Sequence, residues 1–175
     1  MSESNTRRHP GVREPFPGTH CEPGLGLSNQ HLRTLSYVLI FSQSLFCQSS
    51  IVKEGIASHV VKILADDLRM DQSSLVDCLG IARSTFSRKI KDKEVLSRAD
   101  SERVLGVLKL VGQVAAMIGY SGNAKDFDAS AWVGHWLESP LPALGNEPPA
   151  KFMDTGPGQE LVSRLLAQAQ SGAFA

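Results

Sequence analysis

Cysteine is scarce in this 175-residue chain: the three present, Cys21, Cys47 and Cys78, are scattered along the sequence. No C-x-x-C pair exists and one thiol would stay unpaired after any bridge, which argues against a disulfide scaffold and against a zinc site. Cys78 reads as a small buried filler rather than a reactive thiol. Aromatic residues make up only 6%. Long apolar runs are missing too, because the most apolar window, Leu35 to Cys47, is broken by Ser36, Ser42, Gln43 and Ser44 and is too short to cross a bilayer. Met1 to Pro10 lacks the apolar stretch of a signal peptide, so the cytoplasm is the expected compartment and no membrane partner is expected. The five histidines, His9, His20, His31, His59 and His135, fall at no metal-ligand spacing, and no Ser-His-Asp order stands out. An enzyme is therefore not expected, and neither is a metal, a cofactor or a small-molecule substrate. Net charge is also absent, with 18 basic against 18 acidic residues.

That zero hides a gradient. Residues 68–99 hold seven basic and four acidic residues, whereas residues 120–175 hold three basic and six acidic ones. A cationic block amid neutral sequence is what a polyanion site needs, and a solvated face would look the same. Residues 1 to about 30 carry Pro10, Pro15, Pro17 and Pro23 with Gly11, Gly18, Gly24 and Gly26, which blocks helix and offers little to bury, so a flexible N-terminal arm is expected. Gly24-Leu25-Gly26 is not a dinucleotide loop: Asn29 stands where a third glycine is required and no strand precedes it.

Beyond the arm the patterns are helical and the expected fold class is all-α. Leu32 to Cys47 suits a helix through Leu32, Leu35, Leu39 and Phe46, although Val38, Ile40 and Phe41 would suit a strand equally well. Val52, Ile56, Val60, Ile63 and Leu64 form one buried stripe and predict a helix after Ser50. A short helix from Gln72 to Leu79, turning at Gly80, precedes another from Arg83 to Ile90. Asp100 can cap a longer helix, Ser101 to Ile118, which stops at Gly119. Its apolar residues surround the axis, so it must be covered on nearly all sides by its own domain or by a second copy. Asp128 can cap a helix through Leu137 with Trp132 and Trp136 on one face, a pair that more often packs a core than binds a partner. Leu141 to Pro149 reads as a tight loop, Ala150 to Asp154 as one helical turn, and Gly158 to Gln170 as a final helix burying Leu161, Val162, Leu165 and Leu166. The domains follow as an arm over 1–50, Pro/Gly-rich then weakly helical, a DNA-binding and dimerisation unit over 51–119, and a small helical domain over 120–175.

The segment Ser74 to Ile90 has the organisation of a helix-turn-helix: a support helix, a glycine turn, then a second helix anchored by Phe86. Leu75, Val76, Ile81, Phe86 and Ile90 can face inward together. Arg83, Ser84, Thr85, Ser87, Arg88 and Lys89 are then left outside, with Lys91 extending the charge; hydroxyls and cations suit phosphate oxygens and guanine edges in a major groove. The competing reading is an αα-hairpin with a solvated basic face.

In the acidic third, Trp136, Leu137, Pro140, Leu144, Gly145, Pro148, Thr155, Gly158 and Val162 recur in an order that packing alone does not readily produce. A helix-turn-helix joined to a domain with W-L-x-x-P, A-L-G-x-x-P-P and T-x-x-G-x-x-x-V resembles the Xre-type antitoxins, whose C-terminal toxin-binding domain is shared with ParS-like proteins. The resemblance covers about residues 51 to 175. It implies a bacterial type II antitoxin whose partner is a RES-domain, NAD-depleting toxin, with the antitoxin covering the toxin's active-site cleft and the helix-turn-helix repressing the operon through operator DNA. Arg83, Ser84, Thr85 and Arg88 occupy the matching recognition-helix positions.

On that reading the toxin surface comprises the 141–156 loop, the last helix and the tail, with Leu144, Pro148, Pro149, Phe152, Thr155, Arg164, Gln168, Gly172, Phe174 and Ala175 as contacts. The acidic surplus lies there and an NAD cleft must present cations, so opposite fields would steer the two together. The tail Gly172-Ala173-Phe174-Ala175 would place an aromatic anchor and a carboxylate in the cleft. A homodimer is expected through Leu105, Leu108, Val111 and Ala115 of the long helix, presenting two recognition helices about 34 Å apart. The alternative is a helix-turn-helix regulator with a C-terminal sensing or oligomerisation domain.

Overall fold

The computed structural model describes residues 30–120 and 127–170; the Pro/Gly-rich arm expected before residue 30 lies outside them. The described residues form eight α-helices and no strand, in agreement with the all-α expectation. The ambiguous stretch resolves into two helices, α1 (Gln30–Ser42) and α2 (Leu45–Glu54), with Ser44 capping the second through its Oγ, which accepts from the Cys47 amide. Val38, Ile40 and Phe41 adopt helix despite their strand preference because Tyr37 and Ile40 find a helical surface to pack on.

The stripe from Val52 to Leu64 does not belong to one helix. Gly55, at φ 87°, ends α2, and α3 (His59–Leu68) starts four residues later. The intervening backbone is tied to the segment that precedes the long helix: Leu96 N–H donates to the Ile56 carbonyl at 2.8 Å and Ser58 N–H to that of Glu94 at 3.1 Å. Periodicity of apolar residues does not register such a break. Next come α4 (Gln72–Cys78), capped by Asp71 accepting from Ser73 N–H, and α5 (Arg83–Lys91).

The organising element is α6 (Arg98–Tyr120). It begins three residues earlier than Asp100 implies, because Ser97 is the cap. The Ser97 hydroxyl accepts from Asp100 N–H at 3.1 Å and donates to the Asp100 carboxylate at 2.7 Å, a reciprocal cap in which Asp100 is the third residue rather than the first. Its far end runs through Gly119 to Tyr120. Around it pack α1, α2, α7 (Ala129–Glu138) and α8 (Gly156–Gln170).

That cover corrects the dimerisation residues. Leu105, Leu108 and Val111 are buried by the chain's own helices, and Ala115 packs half-buried against the same core. The second copy inferred from the circumference of this helix is not required, because α1 and α2 supply the missing face.

Among the described residues, the first helices and the last therefore share one core. Gln159 Nε2 donates to the Arg103 carbonyl at 3.0 Å, Ser163 Oγ donates to Gln113 Oε1 at 2.7 Å, and Gln113 Nε2 returns a bond to the Ser163 carbonyl at 3.1 Å, fastening α8 to α6. On the opposite side α7 lies against α3 so closely that a Cβ at Gly134 would stand 2.0 Å from the Leu68 carbonyl oxygen.

Candidate nucleic-acid and toxin interfaces

The first site is built on α4 and α5. Leu75, Val76, Leu79, Ile81 and Phe86 are all buried, which sets the two helices across the turn in the way their spacing predicts. Gly80 takes the left-handed conformation at φ 60°. A residue that spacing does not reveal holds this turn. Arg103 of α6, its side chain only 21% exposed, donates from Nη1 to the carbonyls of Leu79 at 2.7 Å and Gly80 at 2.8 Å, while Nη2 meets Asp100 at 3.1 Å. The recognition helix is thereby mounted on the central helix.

Of the residues assigned to DNA, Arg83, Ser84, Ser87, Arg88 and Lys91 are exposed and Thr85 is half-buried. Arg83 is clamped by Asp77, from Nε to Oδ1 at 2.9 Å and from Nη2 to Oδ2. The guanidinium holds the Asp77 carboxyl below the ordinary carboxylate range, and Asp77 in turn raises Arg83. Arg88 meets both oxygens of Glu94 through Nη1 alone, at 3.1 and 3.2 Å.

Lys89 is a correction. Its side chain is 14% exposed, and its ammonium turns back to donate to the Val95 carbonyl at 2.8 Å and to Glu94 at 3.4 Å. It ties the end of α5 to the following loop instead of facing a ligand. The spacing that places Arg88 outside brings Lys89 toward the side of the helix from which Phe86 and Ile90 point inward.

The second site lies in the last third. The loop from Leu141 closes on Glu147, with Leu141 N–H donating to the Glu147 carbonyl at 3.2 Å, and contains a 3-10 turn at Pro142–Leu144. A second 3-10 turn, Pro149–Phe152, takes the place of the expected helical turn at 150–154. Leu144, Pro148 and Phe152 are half-buried, and Thr155, Arg164 and Gln168 are exposed. Thr155 caps α8, its Oγ1 accepting from Gly158 N–H at 3.2 Å. Pro149 is buried beneath its turn and cannot face a partner, which removes it from the contact set. Gly172, Phe174 and Ala175 lie outside the described residues.

Two features of this surface escape sequence reasoning. Leu161, expected in the core, is 41% exposed on α8 and shares a face with Arg164 and Gln168 at helical spacing. Trp132, also expected in the core, is 38% exposed and stacks on Trp136 with ring centres 5.9 Å apart, Phe127 completing the row at 6.4 Å. The i, i+4 spacing marks the stack but not which side of it is wet.

Cys78 sits between the two sites. Burial pushes its thiol up to about 12, with Asp154 and Glu138 adding to the effect, in keeping with an inert filler. Among the described residues no group of His, Cys, Asp and Glu could hold a metal ion, and no helix is long and apolar enough to cross a membrane.

Comparison with known proteins identifies the domain that carries each surface. Residues 48–109 match the family described as the antitoxin Xre-like helix-turn-helix domain, and residues 127–172 match the antitoxin Xre/MbcA/ParS C-terminal toxin-binding domain. The chain is also 42% identical over 140 residues to the Prs ADP-ribosylating antitoxin of Sphingobium sp. (strain YBL2), an alignment covering 80% of this chain and 88% of that protein. The resemblance carried by the tryptophan, proline and glycine pattern is thus confirmed, and an antitoxin rather than an enzyme is the result. With a helix-turn-helix on one side of a common core and a toxin-binding domain on the other, the chain belongs to the Xre/MbcA/ParS family of antitoxins.

Proposed function

We propose that this antitoxin neutralises a RES-domain, NAD-consuming toxin by covering its cleft, and that it represses its own operon through α5. The observation that carries the toxin half is the exposed face of α8, where Leu161, Arg164 and Gln168 stand within the segment matched to a toxin-binding domain. The half-buried Leu144 and Phe152 and the cap at Thr155 adjoin it in sequence. Six acidic against three basic residues beyond position 119 favour approach to a cationic NAD cleft. The name of the Sphingobium relative joins antitoxin to ADP-ribosylation, chemistry that consumes NAD. For this chain that supports a toxin that transfers ADP-ribose, a sharper reading than simple NAD depletion.

On the DNA side, Arg83, Ser84, Thr85, Ser87, Arg88 and Lys91 form the contact set, with α5 entering a major groove. Operator palindromes match two-fold proteins, so a homodimer belongs to this reading. Its surface lies away from α6, and Leu39, Leu45 and Phe46 are the largely exposed apolar residues of α1 and α2 available for it. The cytoplasm, where operator and toxin are both found, is the compartment this function requires.

The test is co-expression in a bacterial host of the full chain with the RES-domain protein encoded beside it. Growth is restored by the wild-type chain and lost with Leu161→Asp plus Arg164→Glu, two surface changes whose folded state is checked by a cooperative thermal melt within a few degrees of the wild type. Equal rescue by both chains refutes the α8 surface.

A further inference from the structure

The three arginines and lysines of α5 that make ion pairs are held in different ways. Arg88 is bonded to Glu94 through one nitrogen, a pivot about which its guanidinium plane can turn. Lys89 is folded back into the chain. Arg83 is held by two parallel bonds, Nε to Oδ1 and Nη2 to Oδ2 of Asp77, which lock both the position and the plane of the group. The carboxylate is itself fixed, because Asp77 lies in the last turn of α4 and its carbonyl accepts from Gly80 N–H at 2.9 Å, inside the turn that Arg103 braces.

A guanidinium has five N–H donors and the clamp uses two. Left over are both hydrogens of Nη1 and one of Nη2, and one from each nitrogen point in parallel away from Asp77. Arg83 is the first residue of α5 and its side chain is 66% exposed, which leaves donors beyond the clamp accessible at the end of the helix where a recognition helix meets bases.

We propose that Asp77 aims Arg83 to read a guanine in the major groove. The free edge of Arg83 matches the paired acceptors O6 and N7 of guanine, which no other base presents; adenine places an amino donor where guanine has O6. Clamping the side chain before binding removes the rotamer freedom a long cation would otherwise lose on the DNA, so the guanine contact is sharpened as well as oriented. Asp77 touches no DNA and is a positioning residue. Arg88, on its single pivot, suits a phosphate. This inference rests on the DNA-binding reading above.

The experiment selects duplexes from a pool carrying 20 randomised base pairs, using the full chain as wild type, Asp77→Ala, Asp77→Asn and Arg83→Lys at one salt concentration. Wild type enriches sites with a fixed guanine. In each variant the preference for guanine at that position falls about tenfold or more, the scale of one bidentate contact, while affinity for a scrambled duplex changes less than twofold for the Asp77 variants. Both side chains are more than half exposed, so thermal melts stay superimposable, and the asparagine variant, which preserves side-chain shape, guards against a helix change in the alanine one. Enrichment of the same guanine by the Asp77 variants overturns the inference alone. So does tighter binding of every duplex, which would make Asp77 a competitor of DNA. Enrichment of no sequence by the wild-type chain overturns both this inference and the DNA-binding reading.

Discussion

Replacing Arg103 by Met removes the brace between α6 and the turn of the helix-turn-helix while keeping most of the stem's apolar packing. Four contacts disappear: Nη1 to the Leu79 carbonyl at 2.7 Å, Nη1 to the Gly80 carbonyl at 2.8 Å, Nη2 to Asp100 at 3.1 Å and, on an exposed stretch where water replaces it, Nε to the Ala99 carbonyl at 3.1 Å. Hydrogen bonds to a charged group are worth about 1.5–3 kcal/mol each when buried. Here one nitrogen serves both carbonyls, Gly80 regains water, and Asp100 keeps its bonds to Ser97. The net loss is about 2–4 kcal/mol. For a chain of this size that lowers Tm by roughly 5–12 °C and shifts the urea midpoint without changing its slope. Hydrogen exchange adds a local readout, since the Gly80 and Ile81 amides, bonded to the Asp77 and Val76 carbonyls, lose protection before the α6 core does. Arg164→Met is the control: its pair with Glu160 is an exposed i, i+4 contact worth at most about 0.5 kcal/mol. A loss from Arg103→Met no larger than that control would refute the bracing role.

Gly134→Ala pushes a Cβ onto the Leu68 carbonyl, where backbone rather than a flexible side chain must yield, and costs about 1–3 kcal/mol in chemical denaturation. The Cys78 thiol is held protonated in the folded chain to about pH 12 against an ordinary value of 9.0, so its contribution is fully present below pH 9 and lost as pH rises from there. Relative to Cys78→Ala, the wild type therefore weakens between pH 9 and pH 12, and parallel stability curves over that window would contradict the burial argument. Lys91→Ala lowers affinity for all duplexes and flattens the slope of log K against log salt by about one unit, whereas Lys89→Ala leaves that slope unchanged because its ammonium serves Val95.

The elements legible in the sequence were those marked by both a period and a stop. The short apolar period before Gly80, and Asp128 with Pro140, mark α4 and α7 closely. Where a period ran across a break it misled, as at Gly55, because apolar spacing is the same whether one helix or two carry it. The apolar circumference of α6 signals cover on nearly all sides. The missing face is supplied by α2 and above all by α1, whose composition suits strand and helix alike, so the source of the cover is not legible. At the sites, residue type located the recognition helix but not the pairing of its cations, since Asp77 and Glu94 reach α5 across turns, off any single-helix spacing, and Arg103 meets the turn from more than 20 residues away. Leu161 and Trp132 show the same limit: an apolar letter at helical spacing does not say on which side of the helix the core ends.

The central claim is that one chain carries a toxin-quenching surface and a DNA-reading surface on a shared helix. Its most direct test is titration of the purified RES-domain toxin, supplied with its ADP-ribose acceptor, with the full chain, following NAD consumption. The account predicts that turnover falls to background near stoichiometric antitoxin and that Leu161→Asp plus Arg164→Glu abolishes the effect while DNA affinity is retained. Undiminished NAD consumption at saturating wild-type chain would contradict it.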